Sequence, residues 1–368
     1  MQTHPIKSIQ ALRGIAALLV LVFHYKWSVG LMGEDGFIGS LVNAGGIGVT
    51  IFFILSGFIM VYSSKHKTSP LEFAINRFSR IYPLYLFFIM LCFFISGAMS
   101  TFHYEDKTVN LINSFFFFPV SNDNAPAYID LKSLSAVRWT LGYEMFFYVL
   151  LAFSMFFKHK NIALFSVFSL LLVIIPSLSG FFPTLSVNGY AYDSVILSFI
   201  TNPIMYEFVA GVIIAIFINK IDGICGKKIR LIILSISTIL VVYFCFYRGM
   251  NDHGFDSSAL YLSIFFGSIV MNKELLDRFT PKFMVYIGEI SFSIYLLHNP
   301  IMYMTRKYFL KVDQGWLLVC TATILTLAAS FLSHNYLEVK ASRWVKKMLL
   351  KLVKSEGNTN QDTTSNIS

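Results

Sequence analysis

The sequence specifies an all-α, polytopic transmembrane bundle of about ten helices with both termini cytoplasmic, and three observations predict it. Of the 368 residues, 56% are hydrophobic and only 13% charged, with a mean hydropathy of +0.65, whereas a soluble domain carries about 25% charged residues. The charges also avoid long stretches, many of which reach the ~20 apolar residues that a helix needs to cross a bilayer core. Finally, Lys and Arg sit in short loops between apolar runs, so the formal charge of +9 reads as a topology signal and not as a nucleic-acid surface.

Hydropathy and loop signals place helices near 8–28, 45–62, 80–99, 138–157, 161–178, 200–218, 229–247, 257–271, 283–304 and 315–336. The first run, Ile9 to Phe23, contains Arg13 and ends in His24-Tyr25-Lys26 without a small-residue cleavage site, so it is a membrane helix and not a signal peptide. The second, GGIGVTIFFILSGFIM, carries Gly45, Gly46, Gly48 and Gly57 among bulky side chains. Small residues let helices approach closely, which makes packing the first reading and a substrate channel the second. NRFSRIYPLY leads into the third helix and puts Arg77 and Arg80 at its start. Leu111–Val120, inside the long loop 100–137, is too short to span and is either interfacial or re-entrant. RWTLGYEMFFY opens the fourth helix and brings in Glu144. Asn202-Pro203 breaks or kinks the start of the sixth helix, ahead of Glu207, and GEISFSIYLLHNP in the ninth carries Glu289 and His298.

With the N-terminus inside, 21 of the 29 Lys and Arg residues fall on the inner side, among them Lys65, Lys67, Arg77, Arg80 and the six from Lys340 onward. The outer side holds 8, including Arg138, which fits the positive-inside rule; Arg306–Lys311 is the local exception. Residues 1–347 are expected to form one membrane domain, followed by a cytoplasmic tail over 348–368 that is disordered from about 355, where apolar residues give way to Ser, Thr, Asn, Asp and Gln. Cys92, Cys225, Cys245 and Cys320 are scattered, with no CxxC or Cys/His spacing, so neither a disulfide framework nor a metal site is expected.

An ionisable side chain within a membrane helix costs ~2.5–3.5 kcal/mol on insertion scales, so each one needs a reason. Arg13 and His24 are eleven residues apart, which puts them on one helix face, separated by ~16 Å along the axis. A snorkelling Arg with an interfacial His is the alternative. Arg77 and Arg80, spaced by three, aim two planar forks in nearly one direction, where they can hold phosphate bidentately or simply decorate the inner surface. Glu144, His298 and His24 lie at similar depth in the outer half, so a carboxylate and two imidazoles meet there if the bundle brings their helices together. A neutral imidazole can act as general base, oriented by a carboxylate through its other nitrogen. Ser56 is a nucleophile by residue type only, since it lacks a GxSxG context.

Taken together, these residues give the chain a pattern that resembles acyltransferase family 3, the membrane acyltransferases that modify bacterial surface glycans, antibiotics and lipids. The resemblance runs from about Ile6 to Lys347. It is carried by IQALRGIAALLVLVFHY, with Arg-x10-His at Arg13 and His24, by GVTIFFILSGF, by Arg-x-x-Arg at Arg77 and Arg80, by WTLGYEMFFY with Glu144, and by ISFSIYLLHNP with His298. The opening segment and WTLGYEMFFY are most similar to the branch that O-acetylates succinoglycan-type exopolysaccharides. The resemblance implies acetyl-CoA, in preference to succinyl-CoA, as a co-substrate from the cytoplasm, with no permanently bound cofactor. As acceptor it implies a hydroxyl of an exopolysaccharide, O-antigen or similar glycan at the bacterial inner membrane. Arg13, Arg77 and Arg80 are then expected to hold the CoA phosphates. His24 is expected as the base or a transient acyl carrier, with Glu144 orienting or charge-balancing it and His298 as a second candidate. Polarisation of the carbonyl falls to a backbone N–H, Tyr295 or Trp139. The rival reading is a secondary transporter or flippase with a buried His/Glu/Arg path; it predicts an inverted repeat, which the hydropathy pattern does not contain.

Overall fold

The computed structural model describes residues 6–29, 37–63, 69–96, 98–224, 226–309 and 315–365, and no strand occurs among them. Cys225, Lys65, Lys67 and Lys311, which entered the sequence reading, lie outside the described residues. The principal helices are α1 (Lys7–Tyr25), α2 (Ile47–Ser63), α3 (Pro70–Ile95), α4 (Glu105–Phe115), α5 (Arg138–Ser154), α6 (Lys160–Leu178) and α7 (Met205–Ile224). They continue with α8 (Lys227–Tyr247), α9 (Ala259–Met271), α10 (Lys282–Glu289), α11 (Ser291–Met304), α12 (Gly315–Ser333) and α13 (Ser342–Ser365). Every one of the ten expected segments is helical, and the protein is an all-α membrane bundle. Among the described residues, seven helices are long and apolar enough to cross a membrane, or eight if α9 is joined to the short helix Lys273–Phe279, which bends from it by 81°. Large apolar side chains in the middle of these helices, such as Ile239 and Ile324, face outward, as a lipid solvent allows.

Several elements differ from their expected form, each for a local reason. α3 begins at Pro70 instead of near residue 80: Ser69 caps it by accepting the Glu72 N–H at 3.1 Å, and Pro70 supplies a first-turn φ without needing a donor. Arg77 and Arg80 therefore lie within the helix and not at its start. The expected ninth helix is two, α10 and α11, broken at Ile290. Asn202 forms the expected break before α7, accepting the Ile204 N–H through its own side chain and donating to the Val187 carbonyl and the Tyr128 hydroxyl. The segment 111–120 ends helix α4 and then turns back; it is fastened by Arg138, which was expected on the outer loops but is only 2% exposed. The Arg138 guanidinium donates to Asn110 and Ser114, while the Tyr85 hydroxyl donates to the Ser114 carbonyl. α13 runs from Ser342 to Ser365.

Helix α2 lies at the centre, and its glycines are contact surfaces. A Cβ on Gly48 would stand 2.4 Å from the Ala16 carbonyl oxygen of α1, and one on Gly57 would stand 2.1 Å from that of Phe208 on α7. Gly211 returns the contact, with the Ile54 carbonyl 2.0 Å from its Cβ position, so α2 and α7 touch backbone to backbone. Gly45 opposes Leu19 while Gly48 opposes Ala16, so α2 runs antiparallel to α1. α2 thus lies close to both α1 and α7, with Phe53 of α2 stacked on Phe208 of α7 at 4.6 Å.

Candidate functional site

Two cavities hold most of the polar residues singled out above. The first, of about 90 Å³, is cationic: Arg13 from α1 and Arg77 and Arg80 from α3 all line it, facing Glu144 and Tyr148 of α5 and Ser56 of α2. Glu144 accepts hydrogen bonds from Ser56 Oγ at 3.0 Å and from the Tyr148 hydroxyl one turn further along α5. Arg13 donates to Gln10 Oε1 at 3.2 Å, while the Arg77 guanidinium lies over the Phe73 ring at 5.5 Å and leaves its Nε without a partner. Among the described residues, none of the three arginines forms an ion pair within 4 Å. Three forks facing one cavity with much of their donor capacity unused can hold a polyanion such as a phosphate group.

The second cavity has a volume of about 660 Å³ and is lined by His24, Trp139, His253, Tyr295 and Asn299, among others. The rings of His24 and His298 are 4.9 Å apart. His298 is fully buried, and its Nδ1 lies 3.2 Å from the Ile294 carbonyl oxygen. A carbonyl only accepts, so Nδ1 carries the hydrogen and Nε2 is the bare nitrogen, with no partner. Tyr25 clamps this turn by donating to the His298 carbonyl at 2.9 Å. Tyr295 and Val49 line both cavities and form the wall between them, and the Tyr295 hydroxyl is paired with Thr140 Oγ1 at 2.7 Å.

The structure thus gathers the three arginines in one place and the two histidines in another. Glu144 stands with the arginines, and the carboxylate expected beside His24 is not there: Glu144 bonds Ser56, about two turns along α2 from the Gly48 that faces Ala16, so it lies at the level of Arg13 and not of His24. Three groups had no distinguishing signal in the sequence. Tyr148 looks like any aromatic of an apolar helix. His253 lies in the polar loop before α9. Glu338, which accepts from Ser293 at 3.0 Å and from His334 at 3.0 Å, sits on a π-helical turn, His334–Ala341, that follows the last expected span. Glu207 was visible, and it is fully buried on α7 against Thr50. Among the described residues there is no group of three or more His, Cys, Asp or Glu side chains that could hold a metal ion.

The family described as an acyltransferase domain matches residues 6–334. The exopolysaccharide production protein ExoZ of Rhizobium meliloti (strain 1021) is 28% identical over 329 residues, covering 85% of this chain and 92% of that protein. The O-acetyl transferase of Shigella phage Sf6 is 28% identical over 144 residues, 38% of this chain and 42% of its own. The peptidoglycan O-acetyltransferase OatA of Listeria monocytogenes is 26% identical over 374 residues, 90% of this chain and 55% of that protein. No solved structure matches.

Proposed function

This chain belongs to the acyltransferase domain family and is a multi-pass membrane acyltransferase, and from that premise we propose that it moves acetyl from cytoplasmic acetyl-CoA to a hydroxyl of a surface glycan. The acceptor class, an exopolysaccharide or similar polymer, follows the likeness to the exopolysaccharide production protein ExoZ and the peptidoglycan O-acetyltransferase OatA. The bacterial inner membrane is the corresponding location, with both termini cytoplasmic. The observation that carries the reading is the pair of cavities that share a wall at Tyr295 and Val49, one lined by Arg13, Arg77 and Arg80 and the other by His24 and His253.

The donor needs an anionic handle well separated from its reacting carbon. Arg13 and His24 are ~16 Å apart along α1, a distance suited to a donor with its phosphates at one end and a thioester at the tip of a long uncharged arm. In this reading Arg13, Arg77 and Arg80 hold the CoA phosphates, and the arm passes Ser56 to bring the acetyl carbonyl to Tyr295. Glu144 offsets the arginine charge and leaves the orientation of His24 to its neighbours. From the other cavity a glycan hydroxyl approaches His24. The hydroxyl gives its proton to the imidazole, its oxygen bonds to the carbonyl carbon, the carbon–sulfur bond breaks, and the imidazolium returns the proton to the CoA thiolate. His298, packed on His24 but not lining the cavity, holds the His24 ring in place.

The test is transfer of labelled acetyl from acetyl-CoA to glycan in membranes, comparing the unaltered protein with His24→Ala at matched expression. Loss of a general base lowers turnover by roughly 10²–10⁴-fold. Undiminished labelling by the variant removes His24 from the chemistry, and absence of label from both acetyl-CoA and succinyl-CoA with the unaltered protein overturns the reading.

A further inference from the structure

Outside the arginines and the His24–His298 pair, a second buried polar chain reaches the histidine cavity. Glu207 Oε1 already accepts the Gly254 backbone N–H at 2.8 Å, and it also accepts the Thr50 hydroxyl hydrogen at 3.1 Å. A threonine hydroxyl has a single hydrogen to give. The 3.1 Å contact between Thr50 Oγ1 and His253 Nδ1 therefore has the imidazole N–H as donor. That assignment leaves His253 Nε2 as the bare acceptor nitrogen. His253 lines the cavity beside Trp139, whose ring stands edge-on to it with centroids 5.5 Å apart. Three elements, α2, α7 and the loop before α9, thus fix the tautomer and pose of one ring that opens on the cavity.

Asn251, Asn299 and Asp252 share that lining with the indole of Trp139. An aromatic face among amides and a carboxylate suits a pyranose, which presents C–H groups on its face and hydroxyls at its rim. Resting on the reading of this cavity as the acceptor's side, we propose that His253 is an acceptor-binding residue, whose Nε2 accepts a hydrogen bond from a glycan hydroxyl while Trp139 lies against the sugar ring. Thr50 and Glu207 act through His253 as positioning residues. Burial pushes the His253 imidazole down to about 4, so near neutral pH the ring stays uncharged and keeps one donor and one acceptor nitrogen. No covalent step is assigned to it.

A purely structural role, anchoring the loop to Thr50, predicts the opposite response to two substitutions. His253→Asn keeps a donor near the Nδ1 position and so keeps the anchor, but has nothing at Nε2; His253→Gln does the reverse. The assay uses full-length protein in membranes, labelled acetyl-CoA, and the host's own surface polysaccharide stripped of its esters by mild base. Expected for His253→Asn is an apparent KM for the polysaccharide raised about tenfold, the size of one lost ligand hydrogen bond, with the acetyl-CoA KM unchanged and partial recovery in His253→Gln. Unchanged polysaccharide dependence in His253→Asn, or recovery absent in His253→Gln, overturns the proposal. Should either variant fail to fold, diethyl pyrocarbonate labelling of the unaltered protein decides, with modification of His253 read by mass spectrometry. Protection by the polysaccharide and not by acetyl-CoA is expected, and equal labelling with and without polysaccharide overturns the inference. Either negative result with acetyl transfer intact removes this inference alone, whereas absence of transfer by the unaltered protein removes the reading beneath it.

Discussion

Gly57→Ala tests whether the close approach of α2 and α7 builds the site. The added Cβ would lie 2.1 Å from the Phe208 carbonyl oxygen, where ordinary contact begins at 3.4 Å, so the two backbones must part by about 1.3 Å. The obstacle is backbone on both sides and cannot rotate away. Overpacking of this kind costs about 1–3 kcal/mol. The same displacement acts on the Thr50–Glu207 hydrogen bond, which at 3.1 Å has little length to spare and spans these two helices. The variant should therefore lose both thermal stability in detergent and acetyl transfer. Gly46→Ala is the stability control, because its nearest neighbour, the Asn251 carbonyl oxygen, would be 3.7 Å from the new methyl group. The measurement is a pair of melting curves, followed by transfer assays on whichever protein remains folded. Equal stability of the two variants would refute the argument that this interface is closed by hydrogen-sized side chains.

On the proposed donor site, Arg80→Ala raises the apparent KM for acetyl-CoA by roughly tenfold, the lower end for a charge-assisted hydrogen bond because Arg80 is exposed; an unchanged KM removes Arg80 from the phosphate site. Glu144→Gln takes away the carboxylate that offsets the arginines, so the anionic donor should bind more tightly and the acetyl-CoA KM should fall; a raised KM contradicts the charge-balancing role. Tyr295→Phe keeps the wall between the cavities and loses only the hydroxyl paired with Thr140, whereas Tyr295→Ala joins the cavities. Acetate release from acetyl-CoA without glycan should rise in the alanine variant and not in the phenylalanine one.

Much of this architecture was legible because a bilayer constrains composition so strongly. Apolar runs of spanning length had nowhere to go but helices, and the small residues of α2 marked packing surfaces. What the sequence withheld depends on partners far along the chain. Arg138 reads as an outer loop charge until Ser114 and Asn110 are found beside it. The break at Ile290 follows a helix whose Gly288 presses on α1, where a Cβ would meet the Gln10 carbonyl oxygen at 1.9 Å. Arg13 and His24 were legible as a pair because both lie on one helix, as were Arg77 and Arg80. Glu144, by contrast, is expected from its position at the depth of His24, but its bonds to Ser56 and Tyr148 hold it at the level of the arginines, because its distance from the end of its own helix does not give its level in the bundle.

The common wall explains why the motif on α1 needs its length. A cation beside an imidazole disfavours the protonated form that a base must pass through, so arginines that hold phosphate and a histidine that takes a proton work against each other at close range. Here Arg13 opens on one cavity and His24 on the other, with Tyr295 and Val49 between them. One helix supplies both groups, so their separation is set by residue count alone, and removing one residue between them would turn His24 by ~100° away from that face. The eleven-residue interval therefore fixes two quantities at once: the distance between Arg13 and the base, and the angle that keeps both side chains on the side of α1 where the cavities lie.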